Sequence, residues 1–496
     1  MVHTALISFL TNSINTRLLS SYLKHNGYEA TCYFCPVSVN DENLKALVDH
    51  LRDRRVSLVG ISLVTDDYYS AVVVTNAIKN KLGLPVIWGG AHVNVRPEEC
   101  LQHADMICRG EGEEALLELV RTMSSTGGTG TTIKNIWYIN NGAVIHNELR
   151  SLEENLDKYP FPDFDLRSQY VMDEASVTAL TEKHLKGEYS IMTSRGCPYS
   201  CRYCYNNYRR QHYLGKGKYL RARSIENVIA ELSQAKTVFK NLRTVNFWDD
   251  SFVARPMSDF ETLRNLYNKE IALHFFALIE PMAFNYEKIK ILRDAGLSKL
   301  QIGIQTGSER INRDIYNRQV SNKHVLEMAN AIHAMGIEVI YDIIFNNPYE
   351  HREDVLETVK LLLSFPGTVS VQGFNLIFYP GTELTERALK DKFISMKPAM
   401  DDFSTIEGKG DSPIATMGTA QISSRFYTIC YNSINKNYLN TLVALIPRRY
   451  VPRSVIRFFA SSETTLKRLL LGLFIRFYYC TAARTYTVRQ WLKAAF

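Results

Sequence analysis

The chain has 496 residues, 46% hydrophobic and 22% charged with a net charge of +7, the balance of a folded protein of two or three domains and not of a disordered or fibrous one. Its start lacks a basic segment ahead of the short apolar run 5–10, and no stretch reaches the roughly 18 uncharged apolar residues of a membrane span, so a cytoplasmic protein is expected. Three of its nine cysteines crowd into eight residues, which is not the spread framework of a small disulfide-bonded domain and points to metal or redox chemistry.

Residues 1–125 alternate strand and helix patterns. Apolar runs at 3–10, 29–35, 57–64 and 85–88 suit buried parallel strands. Helical faces lie between them: Leu18, Leu19, Tyr22 and Leu23, stopping at Gly27; then Leu44, Leu47, Val48 and Leu51; then Val72, Val73, Ala77 and Ile78. The pattern predicts a doubly wound, Rossmann-like α/β domain with a ligand crevice at the carboxyl ends of its strands. Small residues cluster at those ends. Ser62 and Thr65 close the third strand, Gly89-Gly90-Ala91-His92 the fourth, and Arg109-Gly110-Glu111-Gly112-Glu113 opens a helix. They let a bulky planar ligand approach the backbone, and the helix start offers free N–H groups; well-made turns without a ligand account for the same residues. No Gly-x-Gly-x-x-Gly follows the first strand, so a dinucleotide fingerprint is absent. Cys32 and Cys35 fall on opposite faces of a strand and read as strand residues, not as a redox pair.

A linker is expected over 126–184, with a Ser/Gly/Thr run at 124–132 and the extended Tyr159-Pro160-Phe161-Pro162. Six βα units follow over 185–385. Strands are predicted at 189–193, 244–249, 272–278, 299–304, 338–345 and 370–378, and helices from near Ser224, Met257, Tyr286, Ser321, Arg352 and Glu383. Ser224 caps an apolar face of Ile225, Val228, Ile229 and Leu232, and the helix from Ser321 stops at Gly336. Six units are two short of a closed barrel, so a partial (β/α)6 TIM barrel with an open side is expected. Residues 386–496 lose this rhythm and read as a helical, basic C-terminal region. From 441 onward ten Lys/Arg stand against Glu463 alone, so the remainder of the chain is slightly acidic. This tail reads as a solvated helical face over the barrel or as a surface for an anionic membrane. Nucleic acid is the weaker option, since no stacking module accompanies the charge.

The cysteines lie in Thr193-Ser-Arg-Gly-Cys197-Pro-Tyr-Ser-Cys201-Arg-Tyr203-Cys204, on the loop after the first barrel strand. Thiolates are soft ligands that favour an iron–sulfur cluster or zinc. Three of them leave one coordination position open, whereas zinc would need a fourth ligand, for which His212 is the nearest candidate.

Cys-x-x-x-Cys-x-x-Cys, with the aromatic Tyr203 before its last cysteine, resembles the signature of the radical S-adenosylmethionine (SAM) superfamily. That resemblance implies a [4Fe–4S] cluster on Cys197, Cys201 and Cys204, with SAM chelated at the open iron and cleaved to a 5′-deoxyadenosyl radical. Other stretches resemble the same family. Arg221-Ala-Arg223-Ser224 is similar to a segment of its cobalamin-binding branch. Phe247-Trp-Asp249-Asp250 points carboxylates at the site. Gly303-Ile-Gln305-Thr-Gly307-Ser308 is similar to the segment that contacts ribose and carboxylate, with Gln305 where the family often has Glu. Asn346-Asn347-Pro348 resembles the turn that contacts adenine. The resemblance thus implies SAM contacts at Tyr203, Asp249, Gly303, Gln305, Asn347 and Pro348, with Glu280, Tyr341 and Asp342 nearby at strand ends.

In the first domain, Gly-Gly-x-His, Arg-Pro-Glu-Glu and Gly-Glu-Gly-Glu occur in the order of the cobalamin-binding domain that precedes the barrel in one branch of this family, and the likeness runs from residue 1 to about 380. It implies cobalamin contacts at Ser62, Thr65, Gly89, Gly90, His92, Gly110, Glu111 and Gly112. Asp-x-His-x-x-Gly is missing from this domain, so no histidine of that motif can ligate cobalt. The function implied is a cobalamin-dependent radical C-methyltransferase acting on an unactivated carbon. A radical cyclase, oxidase or rearrangement enzyme, and a non-catalytic cobalamin- or cluster-binding sensor, are the alternatives. Expected partners are a small-molecule or lipid-like substrate, an external one-electron reductant of flavodoxin or ferredoxin type, and a membrane surface for the tail.

Overall fold

The computed structural model describes residues 2–128, 132–367 and 369–394, and the backbone of 415–417. Its contacts divide the chain into two units, Met1–Pro198 with Tyr205–Phe275, and Tyr199–Cys204 with Phe276–Phe496.

The first unit opens with β1 (His3–Ser8), α1 (Ile14–His25), β2 (Glu29–Phe34), α2 (Asp41–Asp53), β3 (Leu58–Ser62), α3 (Tyr68–Leu82), β4 (Val86–Gly89), the short α4 (Ala91–Val95) and α5 (Pro97–Cys100), β5 (Met106–Cys108) and α6 (Glu113–Thr126). Strand β1 pairs in parallel with β2 on one side and β3 on the other, and β4 and β5 continue the parallel order beyond β3. The winding reverses at β1, which opens a crevice at its carboxyl end and that of β3. Each face of the sheet has its own core. Leu47, Leu51, Val74, Ile78 and Trp88 fill one, and Leu23, Leu116, Leu119 and Val120 the other. Cys35 belongs to the first core and Cys32 to a separate cluster with Phe34, as strand alternation requires.

Helix α3 turns a different face inward than its valine run suggested. Ala71, Val74, Ala77 and Ile78 are buried, and Val73 is 45% exposed. Three consecutive valines carry no helical phase, whereas the three- and four-residue spacing from Ala71 does. The stretch expected as a linker instead supplies both edges of the sheet. The hairpin β6 (Ile136–Asn140) and β7 (Ala143–His146) adds antiparallel to β5. At the opposite edge β8 (Gln169–Met172) pairs in parallel with β2, and β9 (Val177–Ala179) returns antiparallel, making nine strands.

Six βα repeats of a partial barrel follow along the chain. In the first unit lie β10 (Glu188–Ile191), β11 (Ser194–Arg195), α7 (Tyr205–His212), β12 (Arg221–Ala222), α8 (Ile225–Val238), β13 (Thr244–Phe247) and α9 (Met257–Leu266), with β10 and β13 parallel. Then come β14 (His274–Ile279), α10 (Tyr286–Ala295), β15 (Leu297–Gln305), α11 (Asn322–Ala334), β16 (Glu338–Phe345), α12 (Arg352–Leu363), β17 (Val369–Asn375) and α13 (Glu383–Lys390). In the second unit β15, β16 and β17 form a parallel ladder. The caps read from the sequence are present: Ser224 accepts from the Asn227 N–H, Ser321 from the His324 N–H, and Gly336 takes a positive φ of 74° just past α11. On β15, Leu300, Ile302 and Ile304 are fully buried, and the Tyr341 ring of β16 lies 4.4 Å from Phe365 at the end of α12. The helices therefore cover that face, and Gln301, Gly303 and Asp342 occupy the other. The basic tail lies outside the described residues. No helix among the described residues is long and apolar enough to cross a membrane.

Candidate functional site

At the carboxyl ends of β1, β3 and β4 the first unit holds a cleft with about 1190 Å³ of empty space counted to its open mouth. Gly60 and Ser62 of β3, with Gly89 at the end of β4 and Gly90 just past it, form its floor. Gly110, Glu111 and Gly112 line one wall, and Arg195, Gly196, Tyr205 and Arg209 another. Gly90 has φ +104°, and a Cβ there would stand 2.4 Å from the Leu63 carbonyl oxygen, so only glycine fits. Asn94, which sequence reasoning did not single out, ties the two glycine loops together. Its amide donates to the Gly90 carbonyl (2.8 Å), and its oxygen accepts from the Gly110 N–H (2.7 Å).

Thr65 and His92 do not line the cleft. His92 is 1% exposed, with Nδ1 3.3 Å from Thr65 Oγ1 and its ring 4.9 Å from Tyr68. Burial, with Arg96 adding to it, pushes the imidazole down to about 4, so the ring is neutral at pH 7. Glu111 lines the cleft but its carboxylate is engaged. Arg221 donates to both its oxygens (2.5 and 3.1 Å), and Arg195 lies 3.1 Å away while also pairing with Glu113. Burial raises the Glu111 carboxyl, but Arg195 and Arg221 overcome it and hold the group down to about 2. Arg221, from the Arg-Ala-Arg segment, thus joins that segment to the Gly-Glu-Gly loop.

The cysteine loop enters from β10 in the first unit. There Asp249, 1% exposed, accepts through Oδ1 from Thr193 N (3.0 Å), Thr193 Oγ1 (2.9 Å) and Ser194 Oγ. Burial pushes this carboxyl up, with the Ser194 and Thr193 donors and Arg255 opposing. Its engaged oxygen therefore anchors the approach to Cys197; Oδ2 is buried without a hydrogen bond. Gly196 takes φ +91° where a Cβ would meet the Tyr219 carbonyl at 2.6 Å, so the chain can turn there only with glycine.

The rest of the loop belongs to the second unit. Cys201 and Cys204 close a turn through Cys204 N–H to Cys201 O (3.0 Å). The Tyr203 ring meets Tyr316 edge-on at 4.8 Å, Arg202 N donates to Tyr316 O (3.0 Å), and Asn317 Nδ2 donates to Ser200 O (3.1 Å). Arg318, 1% exposed, donates to the carbonyls of Ile304 and Gly303, so the end of β15 and the cysteine turn share one scaffold. Burial raises the Cys201 thiol, and Arg318 opposes that rise. Gln305 sits at a bulge with φ +71° and folds its amide toward Gly303. Asn347 is 2% exposed, donates to Tyr316 Oη (3.1 Å) and accepts from Tyr349 N (3.0 Å), which fixes the turn before Pro348.

The cysteines at 197, 201 and 204 are not disulfide-bonded. Among the described residues no three His, Cys, Asp or Glu side chains converge on one ion. A cube binds each thiolate to a separate iron, and three soft thiolates suit that donor set. The glycine-floored cleft likewise suits a large planar ligand.

Residues 191–362 match the radical SAM superfamily, and residues 3–120 the B12 binding domain. The chain is 27% identical over 344 residues to an uncharacterized methyltransferase, PH0819, of Pyrococcus horikoshii, covering 68% of this chain and 70% of that one. It is 23% identical over 363 residues to the bacteriochlorophyllide d C-8(2)-methyltransferase of Chlorobaculum tepidum, covering 70% and 71%. Of solved structures, the radical SAM methyltransferase TsrM of Kitasatospora setae superposes with a TM-score of 0.65 at 16% identity, covering 80% of this chain and 78% of that one. The cobalamin-dependent radical SAM enzyme OxsB gives 0.61 at 16%, covering 96% and 75%. At that identity both show a shared fold. Cleft, cysteine loop and barrel repeats together define a radical enzyme with a corrinoid domain. The chain belongs to the radical SAM superfamily and carries a B12 binding domain ahead of the barrel, which implies a [4Fe–4S] cluster, SAM and cobalamin as its cofactors.

Proposed function

We propose that the protein is a cobalamin-dependent radical C-methyltransferase acting on an unactivated carbon of a small-molecule substrate. One observation carries this reading. A three-thiol loop after the first barrel strand and a glycine-floored open cleft occur in a single chain, two of whose relatives are named as methyltransferases. When bound, the cluster with SAM supplies a 5′-deoxyadenosyl radical, and cobalamin supplies the methyl group. Cys197, Cys201 and Cys204 hold the cluster. Asp249 and Gly196 set the approach of the loop, and Tyr203, packed on Tyr316, stiffens its exit. Gly303, Gln305, Asn347 and Pro348 bind SAM. Ser62, Gly89, Gly90, Gly110 and Gly112 bind cobalamin through close backbone approach, with the Glu111 carboxylate bracing that wall. A one-electron reductant of flavodoxin or ferredoxin type reduces the cluster.

The test is anaerobic incubation of reconstituted protein with SAM, a reductant and hydroxocobalamin. The expected product is 5′-deoxyadenosine, lost on alanine substitution of any of the three cysteines. With a substrate supplied, deuterium from methyl-labelled SAM should enter the product carbon. Release of no 5′-deoxyadenosine would leave the sensor alternative. An unlabelled rearranged or cyclised product would leave the other radical reactions.

A further inference from the structure

Helix α7 follows the cysteine loop directly, and it carries Arg209 into the wall of the cleft in the first unit. Among the described residues this guanidinium has no hydrogen-bond acceptor; its side chain is 22% exposed, and its Nε is buried and unsatisfied. Its nearest carboxylate oxygen, on Glu111, is 3.9 Å away and already accepts from Arg221 at 2.5 Å. Tyr205 lies under it, 5.8 Å from the ring centroid. Within this cluster three guanidiniums, of Arg195, Arg209 and Arg221, face two carboxylates, of Glu111 and Glu113. One positive charge is left over, on the arginine whose donors are unmet. Asp250 also lines the cleft, but no ion pair joins it to this group. Beside the cluster, the 14-residue α6 begins at Gly112 without a side-chain cap, so the N–H groups of its first turn add to the positive potential.

A partly buried cation whose one carboxylate neighbour, at 3.9 Å, is shared with two other arginines keeps unmet donors that an anionic ligand can complete. Cobalamin carries one anionic group, the phosphodiester of its nucleotide loop, which a guanidinium matches in charge and fork geometry. We propose that Arg209 is the subsite for that phosphodiester, and that it secures the nucleotide arm of the corrinoid in the cleft. This rests on the reading of the cleft as the cobalamin site.

The test compares two corrinoids on the full chain carrying its cluster. Hydroxocobalamin has the nucleotide loop and its phosphate, and cobinamide lacks both. Binding is followed anaerobically by the corrin absorption bands. Arg209→Met should weaken cobalamin at least tenfold, about 1.4 kcal/mol, and leave cobinamide within twofold. Arg209→Lys, which keeps the charge but not the fork, should fall between wild type and Arg209→Met. Iron and sulfide content equal to wild type shows that the variants fold. An unchanged cobalamin affinity in Arg209→Met, or an equal loss for both corrinoids, would overturn the assignment. Wild-type protein that bound neither corrinoid would remove the cobalamin reading of the cleft, and the subsite with it.

Discussion

Asp249 and Gly90 show how single residues shape the site through the backbone around them. Three donors from Thr193 and Ser194 converge on one oxygen of Asp249, all of them buried. Asp249→Ala strands those donors, and each unmet buried group costs about 1–3 kcal/mol. The expected result is a clear fall in urea midpoint together with less iron per chain after reconstitution, since the anchored segment leads straight into Cys197. Asp249→Asn keeps one acceptor oxygen and should lose less of both. Equal iron loading in the alanine variant and wild type would deny Asp249 this positioning role. At Gly90 the obstacle is backbone on backbone. A methyl group would press on the Leu63 carbonyl at a φ that L residues avoid, so Gly90→Ala should destabilise by about 1–3 kcal/mol and weaken corrinoid binding, measured by thermal melt and by titration.

Among the elements, α8 is the one whose cause is plainest. Ser224 Oγ accepts from the Asn227 N–H at 3.1 Å, and the Ser224 N–H is itself held by Asp157 at 3.0 Å. Ser224→Ala should cost about 1 kcal/mol, read as a lowered urea midpoint with an unchanged slope. That helix, the barrel strands and the cysteine loop were legible because caps, apolar periods and ligand spacing are all local. The edge strands were not taken from the sequence, although the hairpin left a signal: Asn141 and Gly142 both adopt positive φ, 50° and 79°, which is the turn that Asn-Gly favours between strands. Strand β8 left none, because its pairing with β2 more than a hundred residues earlier is written in no local period, and β9 is placed only through β8. The same holds for the site. Glycines and cysteines announced themselves by type and spacing. Asn94 and Arg318 act through backbone groups of neighbouring loops and Arg209 through Glu111 far along the chain, and no motif beside them in sequence marks them.

At the scale of the whole molecule, stability against pH gathers groups that the site buries. Asp342 sits on the face of β16 turned away from the helices, beside Gly303, and takes hydrogen bonds at 3.0 and 2.8 Å from the amide of Gln301. Burial raises its carboxyl to about 7, with that amide opposing. In an unfolded chain an aspartate ionises near 3.9. Between about pH 4 and 7 the folded chain therefore keeps a proton that the unfolded chain has released. Folding stability from this group falls as pH rises through that window, and it is level above the folded value. Glu350, raised to about 8 by burial, tilts the curve in the same sense, so the total slope alone does not isolate Asp342. The difference between wild type and Asp342→Asn does, because Glu350 is common to both. Asparagine cannot ionise, and its oxygen still accepts from Gln301. The melting temperature of the variant should therefore gain on that of wild type steadily from pH 5 to 7 and hold its lead to pH 8.5. A difference that stays flat across that range would mean that Asp342 ionises in the folded chain as it does in water, and that the barrel face beside Gly303 is open to solvent.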